Sequence, residues 1–471
     1  MLAALFLVAN FYLVLEKDVY WLFLLPLVLI MLYYYLTSLD TIILLITFLT
    51  PLAVNIRDMD MGLGVSLPTE PMMFGVLLLF VANLIFENRY DRRIATHPIS
   101  YIIYAQLLWM LFTAFTSEMP IVSLKYLVSR LWFVVPFYFM AAMIFKNMAN
   151  IRKFLWFYLA GLTIVVIYTV TLHSQYGFDE DVGHWIMSPF YNDHTAYGAA
   201  LAMYIPIAVG MVVYPEKSKR WRFFSAVVLF ILIVGVVFSY GRAAWISIVM
   251  ALGVLVVVRL RIKFYVILIT LSILLGLFFS FQQQIIDKLE KNKQDSSANF
   301  VEHIQSITNI SSDASNLERI NRWQAALRLF DERPLVGWGP GTYQFVYSPF
   351  QRAKEKTIIS TNLGDMGNAH SEYLGPLAEM GVPGMLIVFL MVIMVIVIGL
   401  RVYKNGNKEV RYVSMMTLLG LITYFTHGVL NNFLDTDKLS VPFWGFIAIL
   451  VALDTYHLNE ATKVPEKPIT K

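Results

Sequence analysis

The sequence predicts an all-α integral membrane protein with 12–14 transmembrane helices and one large periplasmic loop that contains helices. Hydrophobic residues make up 58% of the 471 residues and charged residues 14%, against about 45–50% and about 25% in a typical soluble domain. Apolar runs close to the roughly 20 residues that cross a bilayer recur along the chain. We place them at residues 2–15, 19–37, 40–54, 71–86, 99–116, 128–145, 154–172, 195–213, 223–240, 243–258, 264–281, 382–400, 412–430 and 439–455.

The distribution of lysine and arginine predicts the orientation, because basic residues near the ends of spans stay on the cytoplasmic side. Alternate connections carry 20 of the 36 Lys and Arg residues, and the opposite short connections carry six. We therefore expect cytoplasmic termini and four parts: N-terminal transmembrane helices, a large periplasmic loop, C-terminal transmembrane helices and a cytoplasmic tail. Their bounds are 1–281, 282–379, 380–456 and 457–471.

Composition also excludes several kinds of site. The chain has no cysteine, so it has no disulfide, thiolate metal site or cysteine nucleophile. The net charge of +4 is largely accounted for by the basic cytoplasmic connections, and it indicates topology and not nucleic-acid binding. No convincing cluster of metal-binding side chains occurs in the outer parts, so we expect neither a metal nor another cofactor.

The long loop contains a predicted amphipathic helix in "SNLERINRWQAALRLFDERP". Ser315 and Glu318 have the spacing of a capping box, and Pro334 marks the end of the helix. Apolar residues at helical spacing form one stripe, which consists of Ile320, Trp323, Leu327 and Phe330. Arg319 and Arg322 flank this stripe, and we expect the amphipathic helix to lie against the membrane domain. The next segment, "PLVGWGPGTYQF", could cradle a phosphate with its backbone N–H groups. Its spacing matches neither common phosphate-binding motif, so ordinary glycine turns are favoured.

Two polar residues lie at the ends of predicted membrane spans. Arg242 lies between two spans, and an arginine at the centre of a membrane helix costs about 2.5–3.5 kcal/mol on insertion scales, so such residues usually face a polar path. The alternative is a snorkelling arginine at the interface. His370 begins the helical segment "HSEYLGPLAEMG" before the next span. It could act on a substrate or only form a local hydrogen bond.

The predicted topology places Arg242, Arg319, Arg322 and His370 on the same outer side. Guanidinium groups bind phosphate oxygens bidentately and stay protonated, whereas histidine can accept a proton near neutral pH. Arginines and a base beside lipid are what a transferase would need to use a lipid diphosphate as its leaving group.

Three segments in order, "SYGRAAW", "RINRWQAALRLFDERPLVGWGPGTY" and "HSEYLGPLAEMGVPG", resemble the bacterial O-antigen ligase and polymerase superfamily. The family pattern combines a serine–arginine turn, an Arg-x-x-x-Trp helix followed by Pro-Leu-x-Gly-x-Gly, and a His-x-x-x-Leu helix that ends in Glu-x-Gly. The detailed resemblance covers roughly residues 223 to 400.

This resemblance implies a fold of the GT-C glycosyltransferase type in the bacterial inner membrane, with the active site on the periplasmic side. Family members transfer a glycan from undecaprenyl diphosphate to a hydroxyl acceptor without a metal ion. By motif, the catalytic residues would be Arg242, Arg319 and His370. The family often has asparagine after this histidine, where this sequence has Ser371. We expect the substrate contacts to come from Arg322, Ser371 and Glu372.

Other polar residues near the outer span ends have two interpretations. Asn192, Asp193 and His194 could hold a metal, but helix capping is favoured. His427 could line the same site as His370, although a hydrogen bond inside the bundle is favoured.

Three functions remain open from the sequence. The first is O-antigen ligation to lipid A–core or a similar acceptor, which we favour. The second is polymerisation with another lipid-linked repeat unit as acceptor, or the related O-glycosylation of proteins. The third is a transporter, which would concentrate polar residues in broken helices near the membrane midplane; this chain gathers them at one outer side.

Overall fold

The protein folds as an almost entirely helical bundle. The computed structural model describes residues 25–56, 65–86, 90–214, 218–263, 314–357, 360 and 367–458, with scattered positions before residue 25 and between 264 and 280. The predicted spans at 2–15 and 264–281 lie largely outside the described residues. Thirteen longer helices occur in the described parts: α1 Leu25–Thr37, α2 Leu39–Leu49, α3 Thr69–Phe86, α4 Pro98–Phe115, α5 Pro120–Ile144, α6 Met148–Ser174, α7 His194–Val213, α8 Lys219–Val237, α9 Arg242–Arg259, α10 Ala314–Glu332, α11 Leu374–Asn405, α12 Lys408–His427 and α13 Asp437–His457.

Nine of these helices are long and apolar enough to cross a membrane, counted over the described residues. They are α3 to α9, α11 and α13. The helix α12 has 20 residues, most of them buried, and it connects α11 to α13 through the middle of the bundle. The prediction of an all-α polytopic membrane protein is confirmed.

A short antiparallel hairpin follows α2, where the sequence had indicated a span up to residue 54. Its strands are Val54–Ile56 and Val65–Leu67, with Val54 opposite Leu67. The Lys438 ammonium at the start of α13 donates to the carbonyls of Thr50 and Ala53 at 2.6 Å each. The α2–hairpin connection is therefore held against the outer end of the bundle.

Residues that are distant in the sequence contact each other at both ends of the bundle. On one side, Arg401 and His97 both contact Asp454, among the connections that the sequence predicts to be cytoplasmic. On the other side, the Trp109 indole donates to the Met380 carbonyl at 2.9 Å. The loop helix α10 joins this second side.

A kink at Gly381 separates α11 into a short outer helix and a membrane helix. Gly381 has φ 67° and ψ −167°, and a Cβ atom there would lie 2.3 Å from the Leu335 carbonyl oxygen. Glycine is favoured because it adopts positive φ and leaves room for this backbone approach. The predicted break before the membrane span is present, although the outer helix begins at Leu374, four residues after His370.

The loop helix α10 forms as predicted, but its packed face differs from the apolar stripe. Ile320 and Leu327 of that stripe are 37% and 38% exposed. The buried face carries Glu318, Arg322, Ala326 and Leu329. The small alanine and an internal ion pair let this face approach the tyrosines that follow α10. Arg319 of the same helix donates to the Leu430 carbonyl after α12, in agreement with the prediction that the helix lies against the membrane domain.

The predicted capping box is also wrong. The helix begins at Ala314, before Ser315. The Glu318 carboxylate instead accepts a hydrogen bond from the Arg322 Nε at 2.6 Å and one from Thr357 Oγ1 at 3.0 Å. Glu318 therefore forms an ion pair with Arg322, one helical turn away, in place of the predicted capping contact with Ser315.

The glycine-rich segment after α10 docks on the outer half of α11. The backbone N–H groups of Trp338 and Gly339 donate to the carbonyls of Ala378 and Glu379. Gly337, Gly339 and Gly341 all have positive φ, which only glycine adopts readily. These N–H groups donate to carbonyls of the protein itself, in agreement with the prediction that this segment forms ordinary glycine turns.

The orientation of the bundle can be tested because the chain has no cysteine. Gln324 is exposed on α10, and Arg220 is exposed at the opposite end of the bundle. We expect a membrane-impermeant maleimide to label Gln324→Cys in spheroplasts with an intact cytoplasmic membrane, and to label Arg220→Cys only after permeabilisation. The reverse pattern would contradict the predicted orientation.

Candidate active site

Arg242 is the first residue of α9, at a tight turn from α8. The Ser239 hydroxyl accepts from the Gly241 N–H at 3.3 Å, and Tyr240 adopts φ 49°, which is uncommon for a residue other than glycine. The Tyr240 hydroxyl donates to the Phe178 carbonyl at 2.7 Å. This turn holds Arg242 at the outer end of the bundle, where the charge of Glu180 acts on it.

Arg319 lies on the loop helix α10, in the region of Arg242. Its Nε donates to the Leu430 carbonyl at 3.2 Å, just beyond α12. Burial and then the positive charge of Arg242 lower the pKa of Arg319 to about 10, while Asp193 opposes the shift. Arg319 remains a cation at neutral pH, and two like charges share a partly buried site. Such a pair favours the binding of an anion.

His370 lies beside these arginines in a strained conformation. Its φ is 47°; its N–H donates to Asn368 Oδ1 at 3.0 Å, and its carbonyl accepts from the Trp323 indole at 3.4 Å. Backbone strain of this kind costs about 1–3 kcal/mol and is concentrated at functional sites. Burial, followed by the charges of Arg319 and Arg322, lowers the His370 pKa to about 4. The imidazole is thus neutral, and able to accept a proton, at pH 7.

Asp193 and His194 begin α7 in the same region. Asp193 caps this helix, because its Oδ1 accepts from the N–H groups of Thr195 and Ala196 at 2.7 and 2.9 Å. The predicted cap is confirmed. The Asp193 charge also acts on Arg319 and His370, so the cap also places a carboxylate in the electrostatic surroundings of the site. His194 stacks on His184 with 4.3 Å between ring centroids.

His427 is the last residue of α12 and lies inside the bundle. It is 1% exposed, and neither ring nitrogen has a hydrogen-bond partner. The favoured interpretation, a hydrogen bond inside the bundle, is therefore wrong. The charges of Arg319 and Asp193 act on this ring, which agrees with the alternative that His427 borders the same site as His370.

Arg322 has different surroundings from Arg319, although it is only three residues away. Its Nε donates to Glu318, its guanidinium carbon lies 4.1 Å from the centroid of the Tyr347 ring, and the side chain is 4% exposed. A Cβ atom at Gly367 would lie 1.4 Å from Arg322 Nη1. Arg322 thus supports the segment that leads to His370 from inside the loop domain.

Ser371 and Glu372 join the segment after His370 to the helices. The Ser371 hydroxyl accepts from the N–H groups of Tyr373 and Leu374 at 3.3 Å each, and so stabilises the start of α11. Glu372 Oε1 accepts from the Tyr424 hydroxyl and from the N–H groups of Phe433 and Leu434. These bonds connect the His370 segment to the turn that carries Leu430.

The three predicted catalytic residues therefore lie in one region at the same end of the bundle, where Arg319 interacts electrostatically with both Arg242 and His370. They come from α9, α10 and the segment before α11. The arrangement combines two cations, a neutral imidazole and a compensating carboxylate. It can hold an anionic group and accept a proton beside it. No group of three or more histidine, aspartate or glutamate side chains in the described parts could hold a metal ion.

The three predicted catalytic residues lie within a stretch of the chain that matches a known protein family. Residues 227–389 match the family model described as O-antigen ligase. The match supports assignment to the O-antigen ligase/polymerase family. The matched stretch contains Arg242, Arg319 and His370, and it confirms the resemblance seen in the three sequence segments. No curated protein sequence matches the chain significantly.

Sequence reasoning had left three neighbours of the site, Asp193, His194 and His427, unassigned. The only available signal was that each lies near the outer end of a predicted span. All three lie outside residues 227–389 of the family match.

Proposed function

We propose that this membrane protein transfers a glycan from undecaprenyl diphosphate to a hydroxyl acceptor with inversion at the anomeric carbon, and that the reaction is O-antigen ligation to lipid A–core. The reaction would take place on the periplasmic side of the bacterial inner membrane. The observation that carries the proposal is the meeting of Arg242, Arg319 and His370 within the stretch that matches the O-antigen ligase family.

The two arginines hold the diphosphate in this proposal. Their like charges are already close enough to lower the Arg319 pKa, so an anion between them relieves repulsion as it binds. As the bond between C1 and the diphosphate oxygen breaks, negative charge grows on that oxygen. Fixed cations stabilise this charge more in the transition state than in the ground state, which is the origin of the rate gain.

His370 accepts the proton of the acceptor hydroxyl. The acceptor oxygen attacks C1 from the face opposite the diphosphate; the new C1–oxygen bond forms as the old one breaks, the proton moves to the imidazole, and undecaprenyl diphosphate leaves. A base must lie within hydrogen-bond reach of the proton that it removes. Arg322, Ser371 and Glu372 support this segment in the proposal, and Ser371 and Glu372 remain candidates for substrate contact.

The surface glycan of a deletion strain tests the proposal. We expect loss of long chains from lipid A–core, with accumulation of lipid-linked polymer, and restoration by the wild-type gene but not by one encoding His370→Ala. Lipid A–core that still carries single repeat units would indicate a polymerase instead. An unchanged surface glycan would overturn the transferase proposal.

The pH dependence should report the surroundings of His370. Because the base must be unprotonated, kcat/KM for the donor should rise with pH through about 4 and stay level around neutrality. Bound diphosphate offsets the arginine charges, so the acidic limb of kcat, which reports the substrate complex, should lie at higher pH. An acidic limb near pH 6.5 in both profiles, the ordinary value for histidine, would contradict this assignment.

We also propose that transfer needs no divalent metal, because arginines supply the positive charge that Mg²⁺ supplies in other phosphoryl sites. Undiminished transfer by purified protein in EDTA is the expected result. If activity is lost and then returns with Mg²⁺ or Mn²⁺, the candidates for a metal site would be Asp193 and His194.

A further inference from the structure

A second polar region lies beside the candidate active site, in a cavity of about 890 Å³. It lies among α4, α5, α11, α12 and α13 and reaches the segment before α11. Its volume is within the range of about 300–1,000 Å³ that is usual for ligand sites. Ala369 and Ser371 line it, so the neighbours of His370 on both sides in the sequence border the cavity.

The charges of this cavity are opposite to those around Arg242 and Arg319. Three acidic residues line it, Glu372, Glu379 and Asp435, with one basic residue, Arg130. Arg130 is already occupied, because Nη1 donates to the Leu434 carbonyl at 2.9 Å and Nη2 to the Tyr126 hydroxyl at 2.8 Å. Three acidic groups against one guanidinium would repel a diphosphate here, so the cavity suits a neutral group better than an anion.

Asp435 lines the cavity, within a recess that shields its carboxyl group from bulk water. Burial, with the nearby Glu372 charge, raises its pKa to about 6. A carboxyl group in such surroundings gains from a ligand hydroxyl that donates to it.

Two further groups in the cavity wall have no partner. Trp444 is 1% exposed and its indole N–H has no acceptor, and Asn432 Oδ1 is buried without a donor. A buried polar group without a partner costs about 1–3 kcal/mol. One wall therefore offers an unused donor and an unused acceptor, and a hydroxyl group can bind to either because it both donates and accepts.

The remaining wall is largely aromatic. The rings belong to Tyr126, Tyr343, Tyr373, Tyr424, Phe425 and Phe443. Ligand sites typically combine an apolar and aromatic surface with a few placed polar groups. A neutral sugar matches this wall, because its ring carries hydroxyl groups at the edge and C–H groups on its faces.

We propose that this cavity is a sugar-binding subsite for a neutral, hydroxyl-rich glycan residue, bound by Trp444, Asn432 and Asp435. The inference rests on the proposed glycan transfer and adds the place where a sugar is held. The sugar belongs either to the donor glycan or to the acceptor; both present the same chemistry.

The turn after α12 separates this subsite from the arginines. Arg319 binds the Leu430 carbonyl on one side, whereas Arg130 binds the Leu434 carbonyl on the other. The carboxylate of Glu372 holds the same turn through the N–H groups of Phe433 and Leu434. Diphosphate and sugar are thus held on different surfaces, with His370 next to the boundary.

Two substitutions test the subsite with little change in shape. Trp444→Phe removes the indole N–H, and Asp435→Asn removes the carboxylate charge. We expect a rise in KM for the sugar-bearing substrate of about 2- to 10-fold for Trp444→Phe, as for one lost neutral hydrogen bond, and about 10-fold or more for Asp435→Asn. The matched controls are Trp221→Phe, at the opposite end of the bundle, and Asp331→Asn, at an exposed position of α10.

The arms of the experiment use full-length protein with the lipid-linked glycan and acceptor of the same organism. A higher KM for the donor, with binding of sugar-free undecaprenyl diphosphate unchanged, assigns the subsite to the donor glycan; a higher KM for the acceptor alone assigns it to the acceptor. Unchanged KM values for both, or an equal loss of sugar-free undecaprenyl diphosphate binding, would overturn the subsite.

A failure of the proposed glycan transfer can be distinguished from a failure of the sugar-binding subsite. In that case the wild-type protein would transfer nothing, and the subsite would be tested by tryptophan fluorescence with lipid-free glycan released from the lipid-linked donor. Wild-type binding that both substitutions weaken would support the subsite. Equal binding by all variants, or none by the wild type, would contradict it.

Discussion

Replacing His370 by asparagine is expected to lower the rate of glycan transfer by about 10²–10⁴-fold, the usual contribution of a general base. Asparagine tolerates the positive φ of this position better than most residues, so the backbone should be preserved while the base is lost. Binding of undecaprenyl diphosphate should survive, because Arg242 and Arg319 are intact.

The measurement is single-turnover transfer by purified, folded protein, with donor binding determined in parallel. His457→Ala is the control, because it removes a buried histidine at the opposite end of the bundle, where its ring bonds to the Phe145 carbonyl. Transfer by His370→Asn at the wild-type rate would mean that His370 forms only local hydrogen bonds.

Replacing Arg319 or Arg242 by alanine is expected to lower transfer by about 10²–10³-fold each, as for the removal of one preorganised donor. In contrast to the His370 variant, donor binding should weaken as well. Arg319→Lys should recover only part of the loss, because an ammonium keeps the charge but cannot form the bidentate contact.

A second readout separates a role in the site from a purely structural one. Arg319 is the charged residue that lowers the His370 pKa most, so the acidic limb of kcat/KM in the residual activity of Arg319→Ala should move to higher pH. Arg333→Ala is the control: it removes a half-exposed loop arginine that pairs with Glu118 at 2.7 Å. Wild-type activity in Arg319→Ala, or an acidic limb that stays in place, would contradict its role beside His370.

The sequence was sufficient to predict the helical membrane architecture, because hydrophobic burial in a bilayer depends on runs of residues that can be counted locally. The spans that fall on α3 to α9 and on α11 to α13 agree with the helices of the structure. The short hairpin after α2 was missed, since its strands of three residues each carry little periodic signal.

Local motifs also indicated the catalytic candidates. Arg242 stands at a turn between two apolar runs, and His370 stands just before another, so topology alone brings both to one side. Topology does not separate Arg319 from Arg322, because both flank the same predicted stripe. Only the resemblance to the Arg-x-x-x-Trp motif assigns the catalytic role to Arg319.

The sequence by itself determined the helical membrane fold and the position of Arg242 and His370 at the same end of the bundle. Only the tertiary structure showed what each loop arginine contacts: Arg319 contacts the turn at Leu430, 111 positions away, whereas Arg322 is held by Glu318 and Tyr347. It also showed that the charges of Arg319 and Asp193 act on His427 and that a cavity with carboxyl groups lies next to the His370 segment. The physical reason is that hydropathy and capping depend on neighbours in the chain, whereas the surroundings of a polar side chain depend on residues that only folding brings into contact.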